Sequence, residues 1–314
     1  MTSPDILIAS RVPPASLAHL EENFNCHKLY EADDRDAFLG PLKDKIRGVV
    51  TTGLRGYDRA LLEALPKLEM ISIHGAGLQA CDLQAAKDHN VIVTNTPDNS
   101  KIAVAELAIA LMLAAARRVS ESDAFVKSGE WASRSFGKTG TGLYGKACGV
   151  VALGTIGRAV ADRASAFGMD VAYFGPRKKS DAPYRYVSDV TELARDSDFL
   201  ILCCPELPET RGLITADVLN ALGADGILIN VSRAIVTDEP ALIKALQDGT
   251  IKAAGLDVFM NEPNIAAEFL ELSNAVLVPH IGTATSDIMK IRKELTVANL
   301  KAFFDGSDVT NLAK

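Results

Sequence analysis

The chain has 314 residues, 48% of them hydrophobic and 23% charged, and a formal net charge of −7. That length fits roughly two domains, each able to bury a core without disulfide or metal staples. The acidic balance argues against nucleic acid as a partner, and no uninterrupted apolar run is long enough to span a bilayer.

The start, MTSPDILIAS, lacks the basic and apolar regions of a signal peptide and reads as a strand entering the fold. Short apolar strands then alternate with helical patterns: DILIAS with PASLAHLEENF, RGVVTT with YDRALLEALP, and LEMISIHGAG with DLQAAKDHN before VIVTN. Such alternation implies a parallel sheet with helices on its faces. Asn99 or Ser100 is placed to cap the apolar helix IAVAELAIALMLAAARRV, and Arg117 and Arg118 near its end suit the helix dipole. This helix is expected to run between two domains. SGEWASRSFGKTGTGLYGK, which holds the only tryptophan, Trp131, has no clear period and reads as an irregular arm. A second strand–helix series runs from ACGVVALGTIG to PHIGT. The last helix, DIMKIRKELTVANLKAFF, is expected to pack back on the first domain.

The five cysteines, Cys26, Cys81, Cys148, Cys203 and Cys204, are odd in number and scattered, without metal-ligand spacing. Cys203 and Cys204 close the apolar strand DFLILCC and read as small apolar groups. A cytoplasmic protein without a bound metal is the expectation.

GVVALGTIGRAVADRASAFG is strand, tight turn, helix. The turn, Ala152 to Gly157, is a dinucleotide fingerprint with Ala at its first position. Gly154 lets the backbone approach a pyrophosphate, Gly157 lets the helix pack on the strand, and the helix N-terminus offers N–H groups to the anion. An NAD site places Asp or Glu at the end of the next strand. Here that strand runs into YFGPRKKSD, so Gly175 stands where the acid belongs, followed by Arg177, Lys178 and Lys179. Losing the carboxylate removes repulsion of a 2′-phosphate, and the guanidinium fork can grip one. The pattern favours NADP(H), with NAD(H) as the alternative; a plain solvated basic loop is the bland reading.

Three late apolar strands each finish on a polar residue: ILINVSR on Arg233, GLDVFMNEP at Glu262 and AVLVPH on His280. Strand C-termini of a parallel sheet share one edge, where ligands bind. A cation and a proton donor there suit a carboxylate-bearing carbonyl substrate, because reduction leaves alkoxide charge on the carbonyl oxygen. Asp257, ending the GLD strand, is a candidate for the cofactor amide. His74 either faces the substrate or is a hydrogen-bonded loop histidine, and Trp131 and Arg134 either touch substrate, across a dimer, or are a packed aromatic and a solvated arginine.

Together VIVTNTPD, the helix carrying VAEL, LGTIG, INVSR, GLDVF with NEP, and PHIGT resemble the D-isomer-specific 2-hydroxyacid dehydrogenase family over nearly the whole chain. SAFGMDVAYF, LGADGILINVSR and NEPN are most similar to its NADPH-linked glyoxylate/hydroxypyruvate and 2-ketogluconate reductase branch. The resemblance implies an α/β fold of two Rossmann-like doubly wound domains. One is a flavodoxin-like substrate domain from residues 1–98 and 284–314, the other a dinucleotide-binding domain of residues 99–283. It implies that Arg233 binds the substrate carboxylate and carbonyl oxygen, that His280 exchanges the proton, and that Glu262 orients His280 and favours its charged form. The backbone of Gly75, Ala76 and Gly77 would clasp the carboxylate. Cofactor contacts would come from Val104, Gly154, Thr155, Ile156, Arg177, Lys178, Cys204, Pro205, Thr210, Val231, Asp257 and Gly282. Ala234 departs from the family's usual Gly without removing a functional group. The expected activity is NADPH-dependent reduction of a small 2-oxo acid to the D-2-hydroxy acid by a cytoplasmic homodimer. The alternatives are an NAD-linked dehydrogenase and a non-catalytic dinucleotide-sensing protein.

Overall fold

A computed structural model describes residues 3–78, 80–96 and 100–313. The chain divides into two units, Met1–Asn99 with Ala284–Lys314, and Ser100–Thr283. Asn99, one of the two expected helix caps, lies outside the described residues, as does Gln79 of the glycine loop.

Among the described residues the first unit carries a five-stranded sheet made of β1 (Asp5–Ile8), β2 (Asn25–Lys28), β3 (Gly48–Thr51), β4 (Met70–Ile73) and β5 (Ile92–Thr94). Its order is β2-β1-β3-β4-β5 and every pairing is parallel, the flavodoxin-like arrangement. Alternate residues serve two cores. Leu7, Val49 and Ile71 face one side, and Ile6, Ile8, Val50 and Met70 face the other with Val297 and Leu300 of the helix Ser286–Phe304. A sheet covered on both faces needs apolar side chains at successive positions, hence Ile6–Ile8 in β1 and Val49–Val50 in β3.

The second unit holds β6 (Ala147–Val151), β7 (Asp170–Phe174), β8 (Arg185–Val187), β9 (Phe199–Leu202), β10 (Ile227–Asn230), β11 (Ala253–Leu256) and β12 (Ala275–Leu277). Their order is β12-β11-β10-β9-β6-β7-β8, again parallel throughout. The strand order reverses between β6 and β9, which marks the ligand crevice of a doubly wound sheet. Ile201 and Ile229 pack toward the helices Ser100–Arg117 and Thr155–Ala166, while Leu200, Leu202 and Leu228 pack on the opposite face. Each such fully buried side chain contributes roughly 1.5–3 kcal/mol.

The elements that the sequence left unread include an edge strand and a helix. β2 (NCHK) is an edge strand with one apolar residue, so it carries no hydrophobic signal. The helix Val119–Lys127 follows directly on Ser100–Arg117, separated only by Arg118 at φ +56°. The arm after it contains one short 3₁₀ turn, Glu130–Ala132, and is otherwise irregular to β6. Trp131 is exposed there. Arg134 bonds to Glu130 and lies 4.7 Å over the Phe125 ring, so its charge is engaged within its own unit. No helix among the described residues is long and apolar enough to cross a membrane.

His74 follows β4 and is buried in the first unit. The Thr296 hydroxyl donates to the Arg292 carbonyl at 2.8 Å, so its lone pair accepts from His74 Nδ1–H at 3.1 Å. Nε2 then accepts from the Ser16 hydroxyl at a longer 3.4 Å. Burial, reinforced by the Arg292 charge, lowers the His74 pKa from 6.5 to about 4. The fold thus favours the neutral ring, and between those values the unfolded chain binds the extra proton. Stability is therefore fully present above pH 6.5 and is lost as pH falls toward 4, by about 3 kcal/mol in all. We expect thermal unfolding of wild type and His74→Gln to show this difference: the gap between them should narrow on going from pH 7 to pH 4. A pH-independent gap would contradict it.

Candidate active site

The site in the second unit begins at the edge formed by β10, β11 and β12. Because the three are parallel neighbours, Arg233, Asp257 and His280 all leave the sheet at its C-terminal side. His280 Nδ1 lies 2.7 Å from Glu262 Oε2, and the other carboxylate oxygen accepts the Phe259 N–H at 2.9 Å. Nδ1 is therefore the donor to Glu262, and Nε2 has no partner among the described residues. Burial alone would raise the Glu262 carboxyl. The hydrogen bond from His280, the Phe259 N–H and the nearby charges of His280 and Arg233 outweigh it and hold the pKa below the usual value. Glu262 is thus a carboxylate at neutral pH, and Arg233 is close enough to be felt there.

His280 itself stands at φ +53°. A left-handed backbone at a non-glycine residue costs about 1–3 kcal/mol and needs an outside constraint. Asp257 supplies it: one oxygen accepts the Ile281 N–H at 2.6 Å and the other the Gly282 N–H at 3.0 Å. Asp257 is 2% exposed, and burial raises its pKa despite those two bonds. A Cβ on residue 282 would stand 2.8 Å from Asp257 Oδ2 and 3.4 Å from Val104 Cγ2, so Val104, Asp257 and Gly282 meet at one point.

Arg233 donates through Nη1 to the Ser232 carbonyl at 2.7 Å, and its remaining N–H groups have no partner among the described residues. Its backbone is braced by a residue sequence reading missed. Asn230, 2% exposed, accepts the Ser232 N–H and hydroxyl at 2.9 and 2.8 Å and donates to the Arg233 carbonyl at 3.2 Å. The signal was one amide closing an otherwise apolar strand. Glu239 was also missed; its carboxylate accepts the Met260 N–H at 2.9 Å and so steadies the turn that carries Glu262. Behind the pair lies a cavity of about 280 Å³ bordered by Glu262, His280, Pro263, Ile265, Leu270 and Leu277.

The dinucleotide turn is built as its residues suggest. The helix Thr155–Ala166 starts at Gly154 with no side-chain cap, so its first N–H groups are unsatisfied. A Cβ on Gly154 would meet nothing within 4 Å, leaving an open approach to Gly154, Thr155 and Ile156. These features fit a bound pyrophosphate. Gly175 likewise has open space where a side chain would stand, so the missing acid is not a steric necessity. Arg177 and Lys178 are exposed and have no partner among the described residues. After β9, Thr210 donates to the Pro205 carbonyl at 2.7 Å and closes the loop 205–210. Cys204 and Val231 are buried, and burial pushes the Cys204 thiol up to about 11, so it offers backbone rather than a reactive sulfur.

In the first unit, the loop after β4 has its carbonyls tied down. The Gly75 carbonyl accepts the Thr96 N–H at 3.0 Å, and the Ala76 carbonyl accepts Asn95 Nδ2 at 3.0 Å. The N–H groups of Ala76 and Gly77 have no acceptor among the described residues, the pattern of an anion nest. Asn95 was also invisible in the sequence.

Comparison with known proteins fits this geometry. The family model for the D-isomer specific 2-hydroxyacid dehydrogenase NAD binding domain matches residues 109–282. The chain is 42% identical over 287 residues to hydroxyphenylpyruvate reductase of Plectranthus scutellarioides, covering 91% of each. It is 39% identical over 303 residues to 2-ketogluconate reductase of Gluconobacter oxydans, covering 96% of each. Among solved structures, NADPH-dependent glyoxylate/hydroxypyruvate reductase of Sinorhizobium meliloti, in complex with NADP and malonate, superposes with a TM-score of 0.87. That protein is 34% identical, and the match covers 99% of this chain and 97% of that one. The chain belongs to the D-isomer-specific 2-hydroxyacid dehydrogenase family and is an oxidoreductase of the CH–OH group.

Proposed function

We propose that this protein uses NADPH to reduce a small 2-oxo acid, of the glyoxylate, hydroxypyruvate or 2-ketogluconate type, to the D-2-hydroxy acid. The observation that carries this reading is the Glu262–His280 hydrogen bond of 2.7 Å, which leaves Nε2 open at the sheet edge beside Arg233. NADPH, when bound, supplies the hydride. His280 Nε2 gives its proton to the carbonyl oxygen as charge develops there, and Glu262 keeps the ring aimed and balances the imidazolium. Arg233 uses its free N–H groups to hold the substrate oxygens, and its positive charge stabilises the developing alkoxide. Ala76 and Gly77 offer their N–H groups, and Gly75 the turn, to the substrate carboxylate. Val104, Asp257 and Gly282 take the nicotinamide end. Gly154, Thr155 and Ile156 take the pyrophosphate, and Cys204, Pro205, Thr210 and Val231 line the cofactor's path. Arg177 and Lys178 hold the 2′-phosphate. The Sinorhizobium meliloti relative, NADPH-dependent by name, supports the cofactor choice. The unpaired thiols of this chain are consistent with a cytoplasmic protein, and its exposed Val119, Val126, Trp131 and Tyr144 with a homodimer.

Coenzyme oxidation with glyoxylate, hydroxypyruvate, 2-ketogluconate and an aryl pyruvate tests the substrate class. NADPH should outperform NADH; equal or better rates with NADH would sink the reading of Gly175 to Lys179. Replacing His280 with Ala should lower kcat by roughly 10²–10⁴-fold while leaving NADPH affinity intact, and unchanged turnover would refute the proton-donor role. Asn230→Ala should release the backbone that aims Arg233. Its expected signature is about a tenfold loss in kcat/KM for the 2-oxo acid, an effect of roughly 1.4 kcal/mol, with coenzyme KM unmoved.

A further inference from the structure

Two tyrosines hold the basic loop after β7. Tyr173 in β7 and Tyr186 in β8 are register partners, with ring centroids 5.4 Å apart. The Tyr186 hydroxyl donates to the Gly175 carbonyl at 3.1 Å, and the Tyr173 hydroxyl accepts the Lys179 N–H at 2.7 Å. The segment from Gly175 to Lys179 is therefore tied at both ends to the sheet. Just beyond it, Asp181 pairs with Arg158 at 2.7 Å and the Tyr184 hydroxyl donates to Asp162 at 2.5 Å, which anchors the chain to the helix Thr155–Ala166. Between the two tyrosine anchors, Arg177 and Lys178 are exposed and unpartnered among the described residues. A solvated surface loop needs no such bracing. Phenylalanine would give the same ring packing; only the hydroxyls reach the loop.

We infer that Tyr173 and Tyr186 are positioning residues for coenzyme selectivity: their hydroxyls fix the two ends of this loop so that Arg177 and Lys178 meet a 2′-phosphate without further ordering of the backbone. The inference rests on the NADPH reading above. Its physical basis is preorganisation. A free loop would lose backbone entropy when the anion binds, whereas a loop already fixed in the folded state loses only side-chain freedom. Neither tyrosine needs to touch the phosphate for this to hold.

The test uses Tyr173→Phe, Tyr186→Phe and the double variant. Calorimetry measures affinity for adenosine 2′,5′-bisphosphate and for 5′-AMP, and steady-state assays give KM for NADPH and NADH. Each single change should weaken binding of the 2′-phosphorylated probe about fivefold, the loss expected for one hydrogen bond, and the double change should weaken it by more. Affinity for 5′-AMP and KM for NADH should not move. Equal losses for both probes would mean a general structural role, and no loss would mean an idle pair; either overturns the inference. Arg177→Ala, measured in parallel, separates the two levels. If wild type shows no preference for the 2′-phosphorylated probe and Arg177→Ala changes nothing, the NADPH reading fails and takes the inference with it. If Arg177→Ala loses the preference while the tyrosine variants keep it, the inference alone fails.

Discussion

The two hydrogen bonds that Asp257 accepts from Ile281 and Gly282 are the constraint on which the reactive edge depends. They fix the turn immediately after His280, whose left-handed φ would otherwise relax and swing the ring. Hydrogen bonds to a charged acceptor contribute about 1.5–3 kcal/mol each, which exceeds the about 1–3 kcal/mol of strain they hold in place. The arrangement also dictates a neighbour, since any side chain at residue 282 would collide with the Asp257 carboxylate. Imidazole placement is thus set by backbone geometry before Glu262 contributes anything.

Two carboxylates next to one imidazole do different work because their environments push them in opposite directions. Burial raises Asp257, while His280, the Phe259 N–H and Arg233 together hold Glu262 low. Separation of this kind would let one acid serve the fold and the other the proposed chemistry. Glu262 keeps its negative charge at neutral pH and so can balance the charge His280 carries when it is a proton donor. Glu239 and Asn230 extend the same logic outward. Each holds a backbone segment, Glu239 that of Met260 and Asn230 that of Arg233, and so each lies one step behind a residue of the proposed site.

The sequence made both parallel sheets readable, because strands covered on two faces are apolar at nearly every position, as in β9. The edge strand β2 escaped because a strand with little to bury leaves no hydrophobic trace. Arg233, Glu262 and His280 stood out as polar residues after apolar runs; the strands themselves end earlier, at Asn230, Leu256 and Leu277, and a turn brings Glu262 back to His280. Asn230, Asn95 and Glu239 did not stand out. Their roles consist of bonds to main-chain atoms of residues whose position depends on tertiary folding. A polar side chain in a loop or at a strand end looks alike whether it braces a carbonyl or faces water.

The three positions of the dinucleotide fingerprint answer to different forces, and separating them shows which one points to a ligand. Ala152 replaces the first glycine and sits at φ +73°, a conformation that costs an L-residue about 1–2 kcal/mol but does not exclude one. Gly157 is steric: a Cβ there would lie 2.1 Å from the Ala152 carbonyl oxygen, and backbone cannot move aside as a side chain can. Gly154 is neither. Its φ of −80° is open to any residue, and a side chain would meet nothing in the fold within 4 Å. Nothing internal to the protein requires glycine at that position. The proposed coenzyme would supply the requirement: a pyrophosphate brought against the helix N-terminus would leave no room for even a methyl group, and its charge is the one those N–H donors match.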